Sequence, residues 1–142
     1  MLLAEINLVL RSNIDGAIQT IAGGIQMITK LACVNISSKD PKKLADFYKM
    51  IGFPVFVSDN NYDGWSLGNP ENNGSVCVWD ENTWGKSTAG YITMVFNADD
   101  LQKTYEEILS KGIKIEPPRT ADWGGQELVF CDPDGNKVMI LQ

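Results

Sequence analysis

The sequence predicts an α+β fold made of two similar modules in tandem, each with the order strand, helix, three strands (βαβββ). The same order of apolar runs and turn-forming residues occurs twice along the chain. Three pairs of residues coincide when the first half is shifted by 60 positions onto the second: Asp40 and Asp100, Lys43 and Lys103, Gly52 and Gly112. An internal duplication of this kind predicts a curved mixed sheet around a cleft, since each half-sheet buries only one face on a helix.

Alternation and turn residues mark the elements of the first module. LACVNIS alternates as a half-buried strand does. Asp40 suits the N-cap of the following helix, Pro41 its first position and Gly52 its C-terminal stop. PVFVSD, YDGWSLG and SVCVWD follow as three short strands, separated by segments rich in Asn, Asp, Pro and Gly.

The second module repeats that plan. GYITMVFNA is the predicted first strand, and Asp100 caps a helix that ends at Gly112. IKIE, GGQELVF and NKVMIL are the predicted last three strands, with the DPDGN turn between the final two. We place the modules at about residues 29–86 and 89–142, within a single domain of residues 29–142.

Residues 1–28 differ from the rest of the chain. Isoleucine and alanine recur there at helical spacing, although Gly16 and the Gly23-Gly24 pair weaken the pattern. The segment lacks the basic start of a secretory signal. Three interpretations remain open: a docking helix, an expression tag, or an upstream start before a native domain that begins at Met27.

Composition restricts the function classes. The 142 residues include 44% hydrophobic and 21% charged residues, with a net charge of −6, which disfavours nucleic acid as a partner. No apolar run is long enough to span a bilayer, so we expect no membrane partner. The three cysteines are widely spaced, which favours reduced thiols and a cytoplasmic location. The absence of histidine removes imidazole catalysis and imidazole metal ligands.

Two segments resemble a known family. KDPKKLADFYKMIGFPV is similar to the first-helix segment of the vicinal oxygen chelate superfamily, which includes glyoxalases, bleomycin resistance proteins and ring-cleaving (extradiol) dioxygenases. WGGQELVFCDPDGNKVMIL resembles the last hairpin of that superfamily, with DPDGN as its most recognisable part. The resemblance covers about residues 29–142, implies the glyoxalase fold of two βαβββ modules, and does not single out a subfamily.

The resemblance also implies where a metal would bind. Members that use a divalent ion hold it with His, Gln or Glu on the first and last strand of each module. The corresponding positions here are Cys33, Thr93, Met139 and either Cys77 or Val78. These side chains do not suit a hard divalent ion, so we expect no metal cofactor and no metal-dependent catalysis. The alternative is a softer metal ion held by Cys33 and Cys77.

Other members of the superfamily bind a drug in the same cleft without a metal, and the abundant aromatic residues here favour such a pocket. Trp65 and Trp123 precede the last hairpin of their modules and are candidate pocket walls. Glu127 lies in an apolar strand and is a candidate for a general base or for an anchor of a cationic ligand. The expected ligand pocket comprises Cys33, Cys77, Thr93, Met139, Trp65, Trp123 and Glu127.

Three functions follow from these observations. The first is a metal-independent protein that binds a small aromatic or cationic molecule, as bleomycin resistance proteins do. The second is a lyase, isomerase or dioxygenase of the same superfamily with an atypical metal site, and the third is a non-catalytic interaction domain. The resemblance implies a homodimer under all three, because members complete their clefts by pairing modules within or between chains. The ligand itself is not identified by the sequence.

Overall fold

The computed structural model describes residues 31–71 and 74–142, and the interpretations of residues 1–28 lie outside this part. The described residues form one compact unit. Its elements are, in chain order, β1 (Cys33–Ser38), α1 (Pro41–Met50), β2 (Val55–Ser58), β3 (Asn61–Leu67), β4 (Ser75–Asp80), α2 (Glu81–Trp84), β5 (Thr93–Asn97), α3 (Leu101–Ser110), β6 (Arg119–Thr120), β7 (Gln126–Cys131) and β8 (Lys137–Leu141). None of these helices is long and apolar enough to cross a membrane.

Both long helices begin with the same cap, as the repeat predicts. The side chain of Asp40 accepts a hydrogen bond from the backbone N–H of Lys43 at 3.0 Å. Asp100 accepts the equivalent bond from Lys103 at 2.9 Å. Each bond satisfies an N–H that has no partner within the helix, which fixes where the helix starts.

The strands form two four-stranded sheets with the same topology. The first has the order β1-β4-β3-β2 and the second the order β5-β8-β7-β6, and each combines one parallel pair with antiparallel ones. Asn35 pairs with Cys77 in the first sheet, and Val95, 60 positions after Asn35, pairs with Met139 in the second. The shared strand order confirms the α+β fold class and the two predicted modules.

Two local features differ from the prediction. The IKIE segment forms no strand: Ile113 and Ile115 pack half-buried against the core, and pairing with β7 starts only at Arg119, after two prolines. Prolines cannot donate to a ladder, which delays the pairing. The short helix α2 was not predicted. Asp80 is its N-cap, and the Asp80 side chain accepts a hydrogen bond from the backbone N–H of Asn82 at 2.9 Å.

One hydrophobic core serves both sheets. Its fully buried members come from the inner faces of both modules and from the helices. Phe53 of the first module stacks on Phe96 of the second, with ring centroids 3.6 Å apart. Because both inner faces pack on the same core, the other face of each sheet lies on the outside of it. We call these outer surfaces the open faces of the first and second sheets.

A buried polar contact also joins the modules. Tyr48 on α1 donates a hydrogen bond to Asp132 of the DPDGN turn at 2.8 Å. Asp132 is 5% exposed and also accepts from the side chain of Asn136 at 3.1 Å and from the backbone N–H groups of Asp134 and Asn136. The DPDGN turn therefore anchors the first helix to the second module.

Candidate functional site

A row of side chains crosses the open face of the first sheet. Strand pairing places one residue of each strand side by side on this face: Asn35 of β1, Cys77 of β4, Ser66 of β3 and Phe56 of β2. Paired residues point to the same side of a sheet, so these four form a continuous strip. Phe56 is 44% exposed at one end of the strip. The strip combines polar, thiol and aromatic groups on a rigid scaffold.

Two thiols belong to this surface. Cys33 lies two residues before Asn35 on the same side of β1, so it sits diagonally across from Cys77. The neighbouring thiol of Cys77 raises the pKa of the Cys33 thiol above its ordinary value. The Sγ of Cys33 also lies 3.4 Å from Oδ1 of Asn35, and the Sγ of Cys77 lies 3.8 Å from Oγ of Ser66. The structure thus brings together two of the predicted site residues.

An indole ring lies flat on the same face. Trp79 of β4 covers Gly64 of β3 so closely that a Cβ on Gly64 would stand 2.7 Å from the ring. Its Nε1 donates to Oδ1 of Asn35 at 3.0 Å, and its ring meets that of Trp84 edge-on at 4.8 Å. Three separate contacts therefore hold the Trp79 ring in one orientation.

A shallow depression adjoins the strip. It has a volume of about 390 Å³ and includes Phe56, Ser58, Gly64 and Ser66 in its lining. All four carry their side chains, or the Cα hydrogen in the case of Gly64, toward the open face by strand alternation. Small side chains at its centre leave room, and Phe56 supplies an apolar wall. This shape can receive part of a small organic molecule.

The open face of the second sheet carries the other two positions that correspond to metal ligands in the superfamily resemblance. Thr93 of β5 and Met139 of β8 stand in the same diagonal relation as Cys33 and Cys77. The neighbours of Met139 are Val95, which is 55% exposed, and the half-buried Val129. This face therefore has an apolar centre around Met139, with Lys137 and the Arg119–Glu127 pair on the same face.

Glu127 lies at the β6 edge of this second face. It pairs with Arg119 across the ladder and is only 5% exposed. Nε and the Nη2 of Arg119 both lie 2.9 Å from Oε1 of Glu127. A pocket of about 190 Å³ is lined by both residues. The carboxylate thus already has a cationic partner, and its role as a general base or cation anchor stays a prediction.

Trp123 is 59% exposed in the turn before β7. Its ring occupies the space that a Cβ of Gly125 would need, with less than 3 Å to three ring atoms. Gly125 lies two residues before Glu127 and therefore faces the same side of the sheet as Glu127 and Val129. The ring of Trp123 thus lies over the end of this open face. Trp123 therefore lies on the open face of the second sheet, where it can form a wall of a pocket.

The structure differs from expectation at Trp65. This residue pairs with Val78 on the inner face, and both are buried, with exposures of 1% and 0%. Trp65 belongs to the core and lines neither open face. The same register settles which β4 residue faces outward: it is Cys77 and not Val78.

The donor set does not fit a hard divalent metal ion. The four aligned positions offer two thiols, one hydroxyl and one thioether, whereas Mn²⁺ or Fe²⁺ needs several oxygen or imidazole donors. Within residues 31–71 and 74–142 no three His, Cys, Asp or Glu side chains are grouped so that they could hold a metal ion.

Three features of the site escaped the sequence analysis: the fixation of Trp79 on Gly64, the strip through Asn35, Ser66 and Phe56, and the Arg119–Glu127 pair. All three are contacts between neighbouring strands. Their signal in the sequence is the alternation of the strands, which becomes informative only when the register is known.

Comparison with known proteins agrees with this architecture. The model of the Glyoxalase/Bleomycin resistance protein/Dioxygenase superfamily matches residues 30–140. A bleomycin resistance protein of Klebsiella pneumoniae is 25% identical over 123 residues, covering 81% of this chain and 94% of that protein.

Solved structures show the same fold. A bleomycin-binding protein complexed with bleomycin is 25% identical, with a TM-score of 0.59 over 80% of this chain and 98% of the other. A superfamily member from Sphaerobacter thermophilus is 24% identical, with a TM-score of 0.61 over 81% and 98%.

Proposed function

Because the chain belongs to the Glyoxalase/Bleomycin resistance protein/Dioxygenase superfamily, we propose that it binds a small aromatic or cationic organic molecule without converting it and without needing a metal ion. The observation that carries the proposal is the Trp79 indole, held against Gly64 on the open face of the first sheet. A ring that is already oriented loses little conformational entropy when a ligand stacks on it.

The surroundings of Trp79 favour a planar ligand. The adjoining depression offers space beside the ring, with Phe56 as a second aromatic contact. The chain carries a net charge of −6, which attracts cations, and an indole face is the strongest aromatic partner for a cation. The bleomycin-binding relative supports binding of an organic drug on this fold.

We further propose that a second copy of the chain completes the site. Both open faces lie outside the shared core, so a single chain leaves the Trp79 surface uncovered on one side. The apolar centre of the second open face, around Val95 and Met139, is suited to cover it, since apolar area is stabilised by removal from water. In a symmetric dimer, the first sheet of each copy packs on the second sheet of the other, and this forms two equivalent enclosed sites, each for one ligand.

A binding screen tests the proposal. Full-length protein in a chelating buffer is melted with a panel of planar organic cations, bleomycin included, and ligands that raise the melting temperature are titrated. We expect at least one ligand, and we expect Trp79→Leu to weaken it about tenfold, since stacking and cation–π contacts are worth about 1–2 kcal/mol. Tyr91→Leu, at an 88% exposed position, is the matched control and leaves affinity unchanged.

Two results would contradict this function. The first is a panel in which no compound binds, and the second is a ligand whose affinity is the same in Trp79→Leu as in the unmodified protein. A lyase, isomerase or dioxygenase has no comparable support, because the aligned positions lack the ligands of a catalytic divalent ion.

A further inference from the structure

The hairpin between β6 and β7 carries a small pocket that the proposed function does not use. Its volume is about 190 Å³. The residues that line it are Arg119, Thr120, Ala121, Asp122 and Glu127. Sites for whole drug-sized molecules usually have about 300–1,000 Å³, so this pocket suits one polar group of a ligand and not an entire ligand.

Glu127 fixes the guanidinium of Arg119 at this pocket. Nε and Nη2 of Arg119 both lie 2.9 Å from Oε1 of Glu127, and the two residues are direct partners across the ladder. The side chain of Glu127 is 6% exposed, whereas that of Arg119 is 67% exposed. Among the residues that the structure describes, the guanidinium has no other hydrogen-bond partner, so the N–H groups of Nη1 are available to a ligand.

Asp122 supplies the complementary acceptor. It is exposed in the turn after β6 and lines the same pocket as Arg119. The lining contains one cationic and two anionic side chains, and the charges of Arg119 and Glu127 already balance each other. An anionic ligand group would be repelled by Asp122, and a cationic one by Arg119. A neutral group that accepts from Arg119 and donates to Asp122 satisfies both side chains.

The indole of Trp123 lies one row further along the same open face. The N–H of Ala121 donates to the C=O of Gly125 at 2.9 Å, which continues the Arg119–Glu127 pairing by two residues. Two residues of a strand span about 7 Å, and the ring of Trp123 covers Gly125 at this position. A planar ring that stacks on Trp123 can therefore place its polar substituent in the pocket.

We propose that this hairpin binds a planar ring that bears a carboxamide or lactam group. The carbonyl oxygen of the ligand accepts from Arg119, the amide N–H donates to Asp122, and the ring stacks on Trp123. Glu127 is a positioning residue, because it holds the guanidinium in place and balances its charge.

This inference goes beyond the proposed function and does not depend on it. The groups that it uses all belong to the second sheet of one chain and its hairpin, whereas the proposed function uses Trp79 on the first sheet. Trp79→Leu should therefore leave the binding of an amide probe unchanged. Each proposal thus fails in an experiment that leaves the other standing.

The test uses three probes that share one ring and differ in charge: benzamide, benzoate and benzamidinium. Each is titrated into full-length ¹⁵N-labelled protein, and NMR follows the side-chain Nε–H of Arg119 and the indole N–H of Trp123. The only other arginine of the chain is Arg11, so the Nε–H signal can be assigned. We expect benzamide to shift both signals saturably and to bind at least about threefold more tightly than either charged probe.

A double variant isolates the role of the guanidinium. Arg119→Gln combined with Glu127→Gln leaves no unpaired buried charge, and it should bind benzamide about fivefold more weakly, which corresponds to the loss of about one hydrogen bond. Lys42→Gln combined with Asp46→Asn removes the exposed ion pair on α1 and is the matched control. This control should bind benzamide as the unmodified chain does.

Glu127→Gln alone tests the positioning role. It leaves the charge of Arg119 unbalanced, so we expect benzoate to become the tightest of the three probes, a change that the loss of a purely structural contact would not produce. The proposal is overturned if benzamide does not shift the Arg119 signal saturably, or if a charged probe binds the unmodified chain as tightly. It is also overturned if the double variant keeps its affinity, or if Glu127→Gln leaves the order of the probes unchanged.

Discussion

Tyr48 and Asp132 are joined by a hydrogen bond of 2.8 Å that connects residues 84 positions apart. Burial, followed by the charge and the hydrogen bond of Asp132, raises the pKa of Tyr48 above its ordinary value, so the phenol stays protonated and remains the donor. The bond connects the α1 helix of the first module to the DPDGN turn of the second.

Replacing Tyr48 by Phe should lower the free energy of unfolding by about 1–3 kcal/mol, because a buried carboxylate oxygen loses one of its two donors. Urea denaturation at neutral pH measures the change. Tyr91→Phe is the control, since Tyr91 is 88% exposed, and its effect should stay within about 0.5 kcal/mol. Equal stability of the two variants would contradict the role of the bond.

The second turn carboxylate, Asp134, should make stability depend on pH. Burial raises the pKa of Asp134 above 3.8, and the negative charges of Asp132 and Glu81 raise it further. A hydrogen bond from Ser38 and the positive charge of Lys39 act in the opposite direction, but burial is the largest effect. A raised folded-state pKa means that the folded protein binds the proton more tightly than the unfolded chain. The stability that Asp134 contributes in this way is complete below pH 3.8 and is lost as the pH rises through the folded-state pKa.

Asp134→Asn should therefore gain stability relative to the unmodified chain as the pH rises from 3.8 to neutrality. Urea midpoints measured across this range give the difference, and Asp122→Asn in the exposed turn after β6 provides the comparison. A stability difference between Asp134→Asn and the unmodified chain that does not change with pH would mean that folding leaves the pKa of Asp134 unshifted. A difference that shrinks as the pH rises would mean that folding lowers this pKa, and either result would contradict the prediction.

Gly64 allows a direct test of the Trp79 platform. Gly64→Ala places a Cβ 2.7 Å from the indole ring and should displace it, which lowers ligand affinity and shifts tryptophan emission. Gly68→Ala is a matched control: its φ of +85° resembles the +93° of Gly64, but nothing lies within 4 Å of its Cβ. Both variants should lose about 1–3 kcal/mol of stability from backbone strain. Equal affinity in the two variants would contradict the proposal that the ligand stacks on the Trp79 ring.

The proposed dimer depends on the apolar face around Val95. Val95→Asp introduces a charge at a 55% exposed position on this face and should yield monomers, because a buried unpaired charge is costly. Leu109→Asp, at a 39% exposed position on α3, should leave the oligomeric state unchanged. Sedimentation velocity at matched concentrations distinguishes the two. A dimer that persists in Val95→Asp would place the interface elsewhere.

Local signals carried the fold prediction. Asp40 and Asp100 cap their helices through short-range bonds, so their spacing alone located both helices. Strand register is a long-range property, and the sequence therefore could not decide between Cys77 and Val78. Because the register was unknown, Trp65 was predicted to line the pocket. In the structure Trp65 is buried on the inner face of the first sheet, and Trp79 lies on its open face.

The most direct test of the proposed function is an equilibrium titration of metal-free protein, in the presence of a chelator, with the compound that stabilises it most. Calorimetry and tryptophan emission would follow the same titration. We predict saturable binding with a Kd well below 1 mM, which is more than about 4 kcal/mol of binding free energy, and quenching of Trp79 that is lost in Trp79→Leu. Binding that disappears when the chelator is added, or that leaves the emission of Trp79 unchanged, would contradict metal-independent capture on this face.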